Sequence, residues 1–321
     1  MLITDKIYGQ LEITDPLALA LIGTKAFDRL RRVSQYGLPH KYYAAYPWCS
    51  RAEHCLGVYL LLKKLRAAPD EQIAGLIHDI SHTAFSHLID WVVKGDLRKE
   101  NYQDNIHLSV LKRPEISGVL AQYGLTPEAM ADYHAFGLLE REIPDLCVDR
   151  LDYSLRQMPE NAARQYIDRL IVRNGEIIFA DHDAADDFAR AYLKLQEECW
   201  GGYEAGTRYG VLAGLFRQAI AAGDLTLADF DGDEEQVIGK LLDIKGKKYF
   251  DVLKILEKAD LSSLPKADQP VFRKFRYVDP KYLFGAQIVR LSESDPDFKR
   301  RLNEARERDA KGLYSGIFPT P

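Results

Sequence analysis

Cysteine is scarce in this chain of 321 residues. Cys49, Cys55, Cys147 and Cys199 are the four present, and no two form a C-x-x-C pair. That excludes a disulfide framework and suits reduced thiols in a cytoplasmic protein. Long apolar runs are missing too: the longest, Leu17 to Ile22, is far short of the roughly 20 residues that span a bilayer. Asp5, Glu12 and Asp15 interrupt any secretory-signal core. Neither sign of charge dominates, since Lys plus Arg is 43, Asp plus Glu is 48 and the net charge is −5. Such a balance gives no overall electrostatic reason to bind nucleic acid or an anionic membrane. There is no G-x-G-x-x-G, no P-loop, no βαβ rhythm and no internal repeat.

What is present is the composition of a folded globule, 46% apolar and 28% charged. Helix signals dominate. Asp15-Pro16, Thr126-Pro127 and Asp295-Pro296 each read as an N-cap followed by proline at the first helical position. Leu17, Leu21, Phe27, Leu30 and Val33 continue apolar faces after the first cap. Leu56, Leu60, Leu61 and Leu65 keep helical spacing over 51–65, and a further helix starts near Asp70. The helix after Asp295-Pro296 is expected to end near Gly312. Strand signals are few. Ile171-Val172-Arg173 and Glu176 to Phe179 flank Asn174-Gly175, a pair suited to a type I′ hairpin turn. Val271 to Val278 alternates weakly and reads as a further strand. The fold class is mainly α, with small sheets as attachments. The basic clusters Arg29/Arg31/Arg32, Lys245/Lys247/Lys248 and Arg273/Lys274/Arg276 read as solvated faces, with acidic residues interleaved nearby.

Three of the eight histidines, His78, His82 and His87, fall within ten residues, with Asp79 directly after the first. Packing gives no reason to place three imidazoles and a carboxylate beside the apolar segment Ile73 to Ile77, because their desolvation is costly unless a metal or ion pair satisfies them. Imidazole nitrogen with carboxylate oxygen is a ligand mixture for iron, manganese, zinc or nickel. His54 precedes the cluster. Asp149 and Asp152 follow, three apart on one helix face in an apolar context. One of that pair could close a metal shell while the other fixes a basic partner.

The order His54 … His78-Asp79 … Asp149 resembles the HD superfamily of metal-dependent phosphohydrolases. The longer likeness is to its deoxynucleotide triphosphohydrolase branch, which includes the SAM-and-HD-domain proteins. It runs through 5–12, 27–37, 50–58, the histidine cluster and 148–156, and thins beyond about residue 160. The resemblance implies a helical HD core over residues 1–260, with its hairpin near 171–179, and a small α+β C-terminal subdomain over 261–321. It implies that His54, His78, Asp79 and Asp149 hold a divalent metal (Mn, Fe, Zn, Ni, Co or Mg). His82 and His87 would face the phosphates, one of them as proton donor, and Asp90 would orient a catalytic histidine. Arg51 would contact phosphate. Gln35 and Tyr153 would touch the sugar, and Tyr102 and Gln157 occupy further substrate positions.

The chain departs from the family pattern at several points. Tyr102 stands where a histidine is usual, Gln157 where an aspartate is, and no arginine precedes Tyr203 to grip a terminal phosphate. His107 falls on a different helix face from the missing histidine. Ser81, Thr83 and Ala84 replace Gly, Gly and Pro. The expected function is hydrolysis of a nucleotide phosphate ester, with a deoxynucleoside triphosphate as default substrate, in a cytoplasmic homo-oligomer. The alternatives are a phosphomonoesterase or phosphodiesterase on another nucleotide, and a module that binds a nucleotide or single-stranded nucleic acid without chemistry.

Overall fold

The computed structural model describes residues 1–44, 47–93, 97–245, 249–258 and 260–316. Of the three lysines read as one basic cluster, Lys247 and Lys248 lie outside the described residues. The fold is mainly helical, as expected, and no helix among the described residues is long and apolar enough to cross a membrane.

The local signals act as read. Asp15 Oδ1 accepts the N–H groups of Leu17 and Ala18 and starts the helix Pro16–Ile22. Thr126 caps Pro127–Ala131 and Asp295 caps Pro296–Asp309, with Gly312 at φ 72° just beyond the latter. The apolar face expected to run on to Val33 is broken, because Thr24 Oγ1 caps a second helix, Lys25–Arg29, at the Phe27 N–H. Asn174 and Gly175 take φ 53° and 74°, closing the hairpin of Leu170–Arg173 and Glu176–Phe179.

One expectation needs correcting. The segment 271–278 is not a strand; its regular pairing is a single bridge between Val271 and Leu313. The C-terminal strands are Lys281–Phe284 and Gln287–Arg290 instead. The first of them pairs in parallel with the 176–179 strand at Phe179 and Tyr282, so both hairpins share one four-stranded sheet.

Two apolar clusters form the interior. The first gathers the helices Arg51–Lys64, Pro69–Ile77 and Val148–Leu155 with the four-stranded sheet and the helix His182–Leu195. The second gathers Leu88–Val92, Tyr203–Ala221, Glu234–Leu242 and Phe250–Leu256. Residues 78–87 cross between them, and there the polar residues converge.

Glu234 ties the 30s segment to the second cluster. Its buried carboxyl accepts the Ser34 N–H and hydroxyl, each at 2.7 Å. Burial pushes its pKa up from 4.5 to about 7, so the folded protein favours the protonated acid. This stabilisation is fully present below pH 4.5 and is lost as the pH rises through 7. Between pH 4.5 and 8 the wild type is expected to lose about 3 kcal/mol relative to Glu234→Gln, measured by urea denaturation at each pH. Parallel curves for the two proteins would overturn the assignment.

Candidate metal centre and substrate cleft

His54 stands on the first turn of the 51–64 helix, whose start is fixed by reciprocal bonds between Ser50 and Glu53. His78 terminates the 69–77 helix. Its carbonyl accepts Gln103 Nε2 and the Tyr133 hydroxyl, both at 2.8 Å, which anchors the turn that carries Asp79. Asp149 sits in the first turn of the 148–155 helix. Glu71 accepts the N–H groups of Leu138 and Leu139, whose carbonyls accept those of Val148 and Asp149.

These elements bring all four expected ligands together. His54 Nε2 lies 3.2 Å from His78 Nε2, 2.9 Å from Asp149 Oδ1 and 3.5 Å from Asp79 Oδ2. His78 Nε2 is 3.4 Å from Asp149 and 3.5 Å from Asp79. Their partners assign the ring protons. His54 Nδ1 faces Asp152 Oδ2 at 2.7 Å and His78 Nδ1 faces the Gly75 carbonyl at 2.8 Å, so both Nδ1 atoms are donors. Both Nε2 atoms then face each other beside two carboxylates, a contact that a proton on one ring or a shared cation satisfies. Burial alone would depress both imidazoles; the hydrogen bonds to Asp149 and Asp152 instead hold His54 above its ordinary pKa, and Asp79 and Asp149 hold His78 well above. Convergent nitrogen and oxygen donors, oriented from behind through Nδ1, fit a divalent metal.

Behind His54 lies a buried ionic network. Asp152 accepts Arg156 Nε at 2.7 Å and the Tyr8 hydroxyl at 2.7 Å, and Arg156 Nη2 also donates to Asp5 at 2.9 Å. The hairpin of Leu2–Asp5 and Gly9–Glu12 is thereby bound to the back of the site. Gly57 leaves room for the network, since a Cβ there would stand 2.1 Å from both Arg156 Nη2 and Asp152 Oδ1.

Histidines 82 and 87 follow on the crossing loop, their rings 4.8 Å apart edge to face. His82 Nε2 is 3.2 Å from Asp79, and burial, reinforced by the Arg51 charge, pushes its pKa down to about 4. Burial, with His82 and Arg51 next, also holds His87 well below the usual range. Both rings are therefore neutral at pH 7 until an anion arrives. Asp90 Oδ2 is 4.0 Å from His87 Nδ1, and neither atom has a hydrogen-bond partner among the described residues. Asp90 is positioned beside the ring but does not bond it here. Burial raises its pKa to about 6.

The loop places Phe85 and Ser86 at φ 64° and 49°, which costs of order 1–2 kcal/mol per residue. Phe85 packs on Phe216 and Phe230. Ser86 Oγ donates to the Ser34 carbonyl and accepts from Arg51 Nε.

Arg51, Tyr153 and Gln157 line the cavities and also make contacts within the protein. All three parts of the Arg51 guanidinium are engaged, by Asp79 at 2.5 Å, Ser86 at 2.9 Å and the Gln35 carbonyl at 3.0 Å. Tyr102 donates its backbone N–H to Asp90 and packs its ring on the second apolar cluster, while Gln103 and Asp104 line the cleft. Tyr102 opens the 102–111 helix. His107 is buried against Tyr133 and bonds Ser81. Tyr153 bonds the Tyr192 hydroxyl, and Gln157 accepts from the Cys199 thiol at 3.4 Å.

The site opens into a cleft of about 640 Å³ that holds His78, Asp79, His82 and Asp149. An aromatic chamber lined by Trp48, Trp91, Trp200 and Tyr209 adjoins it. Both share Gln35, Arg51, His87, Glu100, Tyr153, Lys274 and Arg276.

An HD-domain family model matches residues 51–155, the stretch that holds all four candidate ligands. Over 99% of both chains, the sequence is 33% identical to the uncharacterized protein YdhJ of Bacillus subtilis. The chain belongs to the HD-domain family. A metal-dependent phosphohydrolase of Cordyceps militaris, cns2, is 25% identical over 87% of this chain and 84% of its own. The human deoxynucleoside triphosphate triphosphohydrolase SAMHD1 is 31% identical over 59% of this chain, which spans 32% of that protein. This HD-domain protein is accordingly a metal-dependent phosphohydrolase. Asp5, Tyr8 and Arg156, which buttress its site, fall in the 5–12 and 148–156 segments of the likeness, which assigned them no role, and Gln103 lies outside those segments.

Proposed function

We propose that the protein hydrolyses a phosphate ester of a nucleotide, a deoxynucleoside triphosphate being the default substrate. The observation that supports this reading is the aromatic chamber opening directly into the His/Asp cleft. A planar base fits among tryptophans, with its phosphate directed toward the histidines. In this reading His54, His78, Asp79 and Asp149 hold the divalent metal, which when bound supplies charge to the phosphoryl group and acidifies water. The remaining work is positioning and proton handling by the chain. The phosphate's negative charge raises the depressed pKa values of His82 and His87, so that one of them is protonated only with substrate in place. Asp90, 4.0 Å away, then receives the His87 Nδ1–H and fixes the ring. Gln35 Oε1 and Gln157 Nε2, unpartnered and buried at the chamber, offer an acceptor and a donor to the sugar. The proposal includes assembly as a homo-oligomer in the cytoplasm.

A second reading, a phosphomonoesterase, has its own support. Asp104, Glu140 and Glu142 line the cleft, while Arg141 and Arg150 are spent on protein carbonyls and carboxylates. Such a wall repels a long polyphosphate. Manganese-loaded protein assayed against nucleoside mono-, di- and triphosphates separates the readings. Release of tripolyphosphate supports the first, and turnover of monophosphates alone the second. No phosphate, pyrophosphate or tripolyphosphate from any of them, with metal bound, would overturn both.

A further inference from the structure

The segment 271–278 runs along the site as a strap, and Arg273, Lys274 and Arg276 all line the chamber. Arg273 is an anchor: its guanidinium donates to the Trp200 carbonyl at 3.2 Å and the Gly201 carbonyl at 2.7 Å. Arg276 is another, with its N–H on Gln196 Oε1 at 3.2 Å and its guanidinium paired with buried Glu100. Between them the Lys274 N–H donates to the Leu97 carbonyl at 3.2 Å. The backbone at 274 is therefore held from three sides.

The Lys274 side chain lines both the aromatic chamber and the metal cleft. Five cationic residues line that cleft, and four are committed. Arg51 is bound to Asp79, Arg141 to Glu176, Arg150 to Glu140 and Arg276 to Glu100. Among the described residues the Lys274 ammonium has no hydrogen bond or ion pair, although its charge contributes to depressing His87. A half-buried ammonium with no direct ion pair among the described residues, with the Asp104 and Glu140 carboxylates in the same cleft feeling its charge, and pre-positioned between an aromatic chamber and the candidate metal ligands, is a seat for an anion.

We infer that Lys274 is a phosphate-binding residue of this enzyme, carried in by the C-terminal strap to hold the substrate's phosphate at the passage from chamber to cleft. The inference rests on the nucleotide phosphohydrolase reading. It supplies from a distant part of the chain the cation missing before Tyr203, and so makes the strap part of the substrate site.

The test uses the full-length, manganese-loaded protein and the variants Lys274→Met and Lys274→Arg. Inorganic phosphate and tripolyphosphate are titrated by calorimetry, and kinetics are run on whichever nucleotide the wild type turns over. Lys274→Met is expected to weaken binding of at least one probe, and to raise KM, by about tenfold, with kcat within about threefold of wild type. Lys274→Arg should restore most of the loss, because it keeps the charge. Unchanged affinity for both probes in Lys274→Met overturns the inference, as does a fall in kcat at constant KM or a wild type that binds neither probe. If the wild type turns over no nucleotide, the hydrolase reading fails separately, and the two anion titrations still decide the role of Lys274.

Discussion

Replacing Asp152 by alanine should destabilise the protein by about 3–5 kcal/mol and weaken its divalent-metal affinity by about 10–100-fold. Asp152 is fully buried and touches no solvent-facing part of the cleft. Its carboxylate receives His54 Nδ1, Arg156 Nε and the Tyr8 hydroxyl, each at 2.7 Å. Alanine leaves the Arg156 guanidinium buried with Asp5 as its remaining carboxylate partner, and stranding a buried charge costs far more than an ordinary lost hydrogen bond. Metal affinity falls for a separate reason. Without an acceptor at Nδ1, His54 is free to adopt the tautomer that places its proton on Nε2, toward the metal. Urea denaturation of the metal-free protein reads the first effect, and competition titration against a chelating dye reads the second. Loss of stability with unchanged metal affinity would show that the network serves the fold alone.

Asp149→Ala should act most strongly on turnover. The Asp149 side chain is 24% exposed at the rim of the cleft, so its loss leaves no large void. Its carboxylate lies beside both His54 and His78, whose hydrogen bonds outweigh burial and hold it well below the usual carboxylate range. Alanine removes one of four donors facing the metal. Turnover should fall by about three orders of magnitude or more, equivalent to about 4 kcal/mol of barrier, and the urea midpoint of the metal-free protein at neutral pH should fall as well, because a carboxylate held below its usual range by two imidazoles contributes to stability. Chelation of the wild type should reproduce the loss and added manganese reverse it, whereas the variant should stay inactive at the same manganese concentration. Activity within tenfold of wild type would exclude Asp149 as a necessary ligand.

Both variants bear on how much of the site could be read from residue order. The pairing of Asp149 with Asp152 was legible because three positions on a helix fix a common face, and the structure gives the two carboxylates the expected division of labour. Asp149 faces the metal-binding nitrogens, and Asp152 holds His54 and a basic partner, Arg156. The histidine cluster was legible because its local density has no packing explanation. Tyr102 shows the limit of residue order: its position matches a family histidine, yet the start of the 102–111 helix directs its ring to the second apolar cluster. Nor does residue order show that the Arg51 fork bonds Asp79, Ser86 and the Gln35 carbonyl while lining both cavities.

By itself the sequence determined the features whose causes lie within a few residues. These are the three Asp/Thr-Pro caps, the Asn174-Gly175 turn, the predominance of helix, and the short segment in which three imidazoles and a carboxylate must gather. Tertiary structure alone decided what closes over that segment. Asp5 and Tyr8 reach Arg156 and Asp152 across separations of 151 and 144 residues. The 271–278 strap, read as a strand from weak alternation, bonds instead to Leu97, Gln196 and the Trp200 carbonyl. A backbone dihedral or a cap is set by neighbours along the chain, but a charged side chain takes its role from whatever carboxylate or cavity the completed packing places opposite it. That is why three basic residues in a row of alternating character read as a solvated surface, while the folded chain uses two as anchors and leaves Lys274 facing the cleft.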